Sequence, residues 1–152
     1  MVFAAVNDEE PERLPSIEEA RAEIEDWKRR VDDLFADIRS WSSACGYRVT
    51  TPRTTVANEG VMRHHGLPSF RLPILDVQGS DGSTVRFIPD ARWVRNTRGR
   101  IMILGANRPA RLLDTATEPG EVCWRLFDST SWMRNGDPFT REGFLSLFGG
   151  RR

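Results

Sequence analysis

The sequence contains very few of the residues that mark secreted, membrane or metal-binding proteins. Its 152 residues include two cysteines and two histidines, and Lys28 is its one lysine. Two cysteines are too few for the disulfide framework of a small secreted domain. The first residues lack a basic segment followed by an apolar one, so no signal peptide is expected. No run approaches the ~18 apolar residues of a membrane span. We therefore expect a cytoplasmic protein that does not contact a membrane.

Motifs for catalysis and cofactor binding are also absent. The chain has no G-x-x-x-x-G-K-[ST] phosphate loop, no H-E-x-x-H zinc motif and no C-x-x-C pair. His64 and His65 are adjacent, and neighbouring side chains of an extended segment point to opposite sides, so they make a poor shared metal site. Cys45 and Cys123 lack the closely spaced partner of structural zinc ligands. We expect no catalysis, no cofactor and no metal. An enzyme of unrecognised type remains as a third alternative.

The chain does contain enough apolar and aromatic side chains for one folded domain. Hydrophobic residues make up 39% of it, with five tryptophans and eight phenylalanines. A chain of this length is typical of a single domain with a sizeable core. Residues 1–14 are polar and acidic without a periodic pattern. We predict a flexible acidic arm over 1–14 and one domain over 15–150.

The clearest pattern is that of an amphipathic helix over residues 17–44. Ser16 and Glu19 match the S-x-x-E capping box that starts a helix, and Gly46 fits its end. Between them, apolar residues recur at alternating intervals of three and four, which is the period of one helical face. This apolar stripe consists of Ile17, Ala20, Ile24, Trp27, Val31, Leu34, Ile38, Trp41 and Cys45.

The rest of the chain predicts a sheet and a short helix. Segment 47–69 has a weak pattern and is predicted as loop with some strand. From Phe70 to about 133, alternating apolar residues broken by turn residues predict antiparallel strands, with Pro73 at a sheet edge or a bulge. A short helix is expected over 139–148. The fold class is therefore α+β, with a long N-terminal helix packed on a mostly antiparallel sheet of four to six strands and a short C-terminal helix.

The register of the first hairpin is predicted by placing apolar residues opposite apolar residues and charged residues opposite charged ones, and that of the second by its turn residues. A three-residue loop between the first two strands after segment 47–69 sets Asp76 opposite Arg86, whereas a two-residue turn would set Asp76 opposite Phe87. The first register is therefore preferred. The second hairpin is predicted to turn at N-T-R-G, which pairs Val94 with Met102.

Arginine is concentrated between residues 85 and 111, a segment with seven arginines and one acid. Residues 1–45 hold twelve acidic and six basic residues, whereas residues 46–152 hold ten acidic and sixteen basic. This asymmetry fits a nucleic-acid surface or an acidic helix on its own basic sheet, and a GC-rich genome also favours arginine over lysine. Nucleic-acid binding by these hairpins is the alternative function. Its candidate residues are Arg92, Arg98, Arg100, Arg108 and Arg111.

The length of the helix leads to the main functional hypothesis. A helix over 17–44 spans about 42 Å, whereas a six-residue strand spans about 20 Å, so the N-terminal half should overhang the sheet by roughly 10 Å. The apolar stripe continues along this half, which suits pairing with another protein. Coverage by the chain's own arm or C-terminal helix is the other possibility. We expect a non-enzymatic protein-binding module, a homodimer or a small accessory subunit of a larger bacterial-type assembly. The predicted contact residues are Ile17, Ala20, Ile24 and Trp27.

Overall fold

The computed structural model describes residues 14–128 and 136–149. A long helix, α1 (Ile17–Cys45), is followed by a sheet in which seven described strands lie in chain order and pair antiparallel. Two short helices, α2 (Gly60–His64) and α3 (Arg141–Leu145), complete the described elements. The strands are β1 (Arg48–Ala57), β2 (Phe70–Gln78), β3 (Thr84–Ala91), β4 (Arg100–Leu104), β5 (Ala110–Asp114), β6 (Trp124–Asp128) and β7 (Asp137–Pro138).

This architecture confirms the α+β prediction, with seven strands within the described residues in place of the four to six expected. The predicted arm falls almost wholly outside the described residues, as does the predicted end of the sheet between 129 and 133. Within the described ranges, no helix is long and apolar enough to cross a membrane.

Helix α1 has the capping groups that the sequence predicts. The Glu19 N–H donates to Ser16 Oγ at 3.1 Å, and the Ser16 N–H donates to Glu19 Oε1 at 2.8 Å. Gly46 ends the helix with φ +77°, a left-handed conformation that glycine adopts at little cost. The predicted helix over 17–44 is confirmed and extends one residue further.

The core lies between α1 and the inner face of the sheet. Alternate residues of the central strands point inward, where each fully buried side chain of this kind contributes about 1.5–3 kcal/mol. The inner face carries Leu75, Val77, Val85, Phe87, Ile101, Ile103, Leu112 and Leu126. Phe144 and Leu147 pack against the same core. The C-terminal helix is shorter than the predicted 139–148, because the Asn107 side chain binds the carbonyls of Ser146 and Gly149 and holds this end in a turn.

The first hairpin has the predicted register, in which Asp76 lies opposite Arg86. Pro73 was predicted at a sheet edge or a bulge. The edge is wrong, because β2 lies between β1 and β3, and the register shift of the β1–β2 ladder lies between Thr50 and Arg53 of β1, not at the Thr54–Pro73 pair. Pro73 is tolerated there because β3 pairs only with Leu75–Gln78, so the missing N–H of proline interrupts no bond on that side. The edge strand on this side of the described sheet is β1, which contains Pro52 and a register shift next to it.

The second hairpin differs from the prediction. Residues 92–99 form a wide loop, which we call loop 92–99, and Val94 does not pair with Met102. The first two backbone N–H groups of the loop donate to the carboxylate of Glu59, at 2.8 and 3.0 Å. These donors would otherwise need carbonyl partners in a strand. A distant carboxylate therefore ends β3 earlier than the local pattern indicates.

Segment 47–69 contains more regular structure than predicted, namely the ten-residue strand β1 and the helix α2. After α2 the chain runs beside the N-terminal half of α1. His65 Nε2 lies 2.7 Å from the carbonyl oxygen of Pro15, and Leu67–Phe70 border a groove together with Ile24. This segment occupies the space in which the sequence predicted an uncovered helix.

We predict that Gly99→Ala destabilises the fold markedly. Gly99 has φ +143°, and a Cβ atom there would lie 2.2 Å from the ring of the buried Trp27. Strain and overpacking together should cost about 2–5 kcal/mol in urea denaturation.

The matched control is Gly82→Ala, since Gly82 has φ +87° with open space around it. It should cost only about 1–2 kcal/mol, from the backbone alone. If Gly99→Ala and Gly82→Ala lost the same free energy of unfolding, the close approach of loop 92–99 to Trp27 would be contradicted.

Candidate functional site

The four residues predicted to contact a partner do not form an exposed stripe. Ala20, Ile24 and Trp27 are 0%, 7% and 1% exposed, and Ile17 is partly exposed. The expected 10 Å overhang is therefore not an open surface. Seven strands spaced about 4.8 Å apart span roughly 29 Å, which is wider than the sheet assumed from the sequence. The connecting segments extend the cover further.

Polar contacts hold these covering segments against α1. The Arg92 Nε–H donates to Glu23 Oε1 at 3.1 Å, which ties loop 92–99 to the second turn of the helix. Glu59 binds the same loop through its carboxylate, and His65 reaches Pro15.

An apolar groove of about 520 Å³, which we call the helix groove, lies on this half of α1. Ile24 lies in it beside Leu67, Pro68 and Phe70. Its other lining residues are polar or charged, namely Arg21, Glu25, Lys28 and Ser69.

The charged groups of the helix groove largely satisfy one another. Lys28 Nζ lies 3.2 Å from Glu25 Oε2 and 4.8 Å from the centroid of the Phe70 ring. The lysine stem therefore covers apolar surface while its ammonium stays exposed to solvent. The groove thus offers apolar contact area with a mixed-charge rim.

A buried ion-pair network lies in the middle of α1. Arg30 is 1% exposed and Asp114 0%, and Arg30 Nη1 donates to Asp114 Oδ2 at 2.8 Å. Arg30 Nε donates to Asp26 Oδ2 at 2.7 Å, and Arg98 Nη2 lies 3.5 Å from the same oxygen. We call these four residues the Arg30 network. The apolar stripe did not include Arg30, although its position three residues after Trp27 borders that stripe.

Asp26 has a pKa below its ordinary value of 3.8. Burial raises this pKa, but hydrogen bonds from Arg30 and Arg29 to the ionised form lower it by more. The carboxylate is therefore held in its charged form by the folded structure.

The arginines of the nucleic-acid alternative lie on different surfaces, and most are bound to carboxylates. Arg111 instead lies over the Phe127 ring, 5.7 Å from its centroid. The ion pairs are Arg92–Glu23, Arg98–Asp26, Arg100–Asp90 and Arg108–Asp128. Glu23 and Asp26 belong to α1, so Arg92 and Arg98 are directed toward the helix. The five arginines therefore do not form one patch.

The strand register nevertheless brings four arginines to the outer face of the sheet. Residues opposite each other in a ladder project to the same side, as do residues two apart in a strand. Arg100 lies opposite Leu113, which lies opposite Arg125. Arg111 lies opposite Met102, two residues from Arg100, and Arg86 lies opposite Leu104. The outer face thus combines Arg86, Arg100, Arg111 and Arg125 with aliphatic side chains.

Metal-binding geometry is not found in the part of the chain that the structure describes. No group of three or more His, Cys, Asp or Glu side chains there is placed to hold an ion. His64 and His65 are adjacent, with ring centroids 4.8 Å apart, and Cys45 and Cys123 are both unpaired thiols.

Comparison with known proteins gives no match. No family model fits the chain, and neither a curated protein nor a solved structure is significantly similar to it. The function must therefore be inferred from the geometry of the chain itself.

We predict that the stabilising effect of Asp26 depends on pH. Because its pKa is lowered in the folded state, the ionised carboxylate contributes stability above its ordinary pKa of 3.8, and this is lost as the pH falls through the lowered value. The difference in unfolding free energy between the parent and Asp26→Asn should therefore narrow from about pH 6 to about pH 3. Asp33→Asn, at a side chain that is 72% exposed, is the control and should change little. If the difference in unfolding free energy between the parent and Asp26→Asn does not change with pH, the lowered pKa of Asp26 is contradicted.

Proposed function

We propose that the chain is a non-enzymatic protein-binding module and that the helix groove is its contact surface. The observation that carries this proposal is the open apolar volume of about 520 Å³ on the N-terminal half of α1. An apolar centre with a polar, charged rim is the usual anatomy of a protein interface. Of the four predicted contact residues, Ile24 lies in the groove and Ile17 is partly exposed near the start of the helix.

The partner that we propose is a second copy of the chain or a subunit of a larger assembly. The edge strand β1 supports a protein partner, because Ala57 at its end pairs with Phe70, which lines the groove. Val56 in this strand is 51% exposed. Pro52 and the adjacent register shift protect the first half of β1 from strand addition, whereas the second half is a regular edge. A partner that inserts an apolar side chain into the groove would lie beside this edge and pair with its backbone.

A cytoplasmic location is part of the same proposal. It is supported by the two free thiols of Cys45 and Cys123, since small secreted domains usually pair their cysteines.

Nucleic-acid binding is the second candidate, favoured by the four arginines on the outer face of the sheet. Two observations weigh against it. Asp76 and Asp90 bind Arg86 and Arg100 on this face, so part of the charge is neutralised. Phe127 is the aromatic residue beneath Arg111, and it is only 8% exposed, which leaves little ring surface for base stacking.

We predict that Ser69→Arg abolishes partner binding without unfolding the protein. Ser69 is exposed and lines the helix groove, so a long charged side chain there should obstruct the apolar volume. Its stability should stay within about 0.5 kcal/mol of the parent, as is usual for surface substitutions. The control is Ser80→Arg, an exposed serine in the turn between β2 and β3.

Light scattering measures self-association, and affinity capture from the native host measures binding to other subunits. If Ser69→Arg loses self-association or binding to other subunits and Ser80→Arg retains it, the proposal is supported. A parent protein that is monomeric and captures nothing, or binding that survives Ser69→Arg, contradicts it. Nucleic acid that co-purifies with the parent and with both variants would favour the second candidate.

A further inference from the structure

A second open region lies on the opposite side of α1, against β6 and β7. At 100° per residue, the α1 residues of the helix groove and those of this region point in nearly opposite directions. The region is a cavity of about 480 Å³, which we call the aromatic cavity. Its apolar lining consists of Leu34, Trp41, Val122, Trp124, Pro138 and Phe139.

Aromatic rings supply much of this lining. Trp41, Trp124 and Phe139 are all partly exposed, although Trp41 and Phe139 pack against each other with centroids 5.5 Å apart and ring planes at 75°. Because these three rings line the cavity, part of their surface is available to a molecule that enters it. Aromatic faces attract cations through the negative charge of their π-systems.

The charged residues of the cavity also favour a cation. Asp33 and Asp37 lie one helical turn apart on its rim. Among the described residues Asp37 has no hydrogen bond or ion pair, and Asp33 contacts only Arg29, at 3.4 Å. The one basic residue in the lining is Arg30, whose charge is offset by the carboxylates of Asp26 and Asp114.

Arg30 adds a hydrogen-bond donor that nothing described satisfies. Its Nε and Nη1 bind carboxylates, whereas its Nη2 is buried without an acceptor in the described ranges. A buried donor without a partner is costly, but this nitrogen has almost no solvent-accessible surface, so a molecule in the cavity does not reach it. The cavity itself combines an aromatic wall with an acidic rim.

We propose that the aromatic cavity binds an arginine side chain of a protein partner. The guanidinium stacks on Trp41 and Phe139 and donates to Asp37 and Asp33. Arginine fits better than lysine because its planar group stacks on rings while bonding carboxylates, and it is more weakly hydrated. This site is separate from the helix groove and does not depend on it.

The test uses NMR of the full chain and a capped peptide with one central arginine flanked by glycines. We expect the indole N–H signals of Trp41 and Trp124 to shift on titration, with the signal of Trp93, outside the cavity, unchanged. A peptide with citrulline in place of arginine has the same shape without the charge and should bind at least about tenfold more weakly. A lysine peptide should lie between the two.

Asp37→Asn is the deciding variant, because Asp37 is exposed and its loss should not affect folding. It should weaken binding of the arginine peptide about tenfold, whereas Asp32→Asn, an exposed aspartate of α1 outside the cavity, should leave binding unchanged. No shift of either indole at millimolar peptide overturns the proposal. Equal binding of the citrulline peptide, or undiminished binding by Asp37→Asn, overturns it as well.

Discussion

The structure depends most on the buried ion pair between Arg30 and Asp114. Removing two charges from water costs several kcal/mol per ion unless hydrogen bonds satisfy the remaining groups. Asp114 meets that condition, because its Oδ1 also accepts the N–H groups of Ala116 and Cys123, at 3.1 and 2.9 Å. Its backbone bonds Gly99 and Arg98 of loop 92–99. Through its carboxylate and its backbone, Asp114 thereby joins α1, loop 92–99 and the connection from β5 to β6.

These contacts of Asp114 explain the positions of the helix groove and the aromatic cavity. The Arg30 network fixes the middle of α1 against the inner face of the sheet, and Trp27 packs there beside Trp124, with ring centroids 6.1 Å apart. Loop 92–99 and the segment after α2 then cover most of the N-terminal half of the helix. The helix groove is the space left on one side of α1, and the aromatic cavity is the space left on the other.

Local chemistry was predictable from the sequence, whereas contacts between distant segments were not. The capping box of Ser16 and Glu19 and the 3-4 spacing of apolar residues predicted α1, and like-with-like pairing predicted the Asp76–Arg86 register. Loop 92–99 was missed because Glu59, over thirty residues away, binds its backbone. Segment 47–69 was predicted only as loop with some strand, and the full length of β1 was not predicted. Both faces of β1 are largely exposed at the sheet edge, which removes the alternation that marks a half-buried strand. The predicted 10 Å overhang of α1 was wrong because the length of the helix was compared only with the dimensions of the strands. The segments that connect the strands also cover the helix.

A double-mutant cycle on Arg30 and Asp114 tests the central role of this ion pair most directly. Arg30→Met and Asp114→Asn should each destabilise by about 3–5 kcal/mol, because each breaks the buried ion pair by removing one of its two charges. The double variant should lose less than the sum of the two, with a coupling of about 1–3 kcal/mol in urea denaturation. Additive losses, within about 0.5 kcal/mol, would contradict the account and would mean that the apolar stripe alone holds α1 on the sheet.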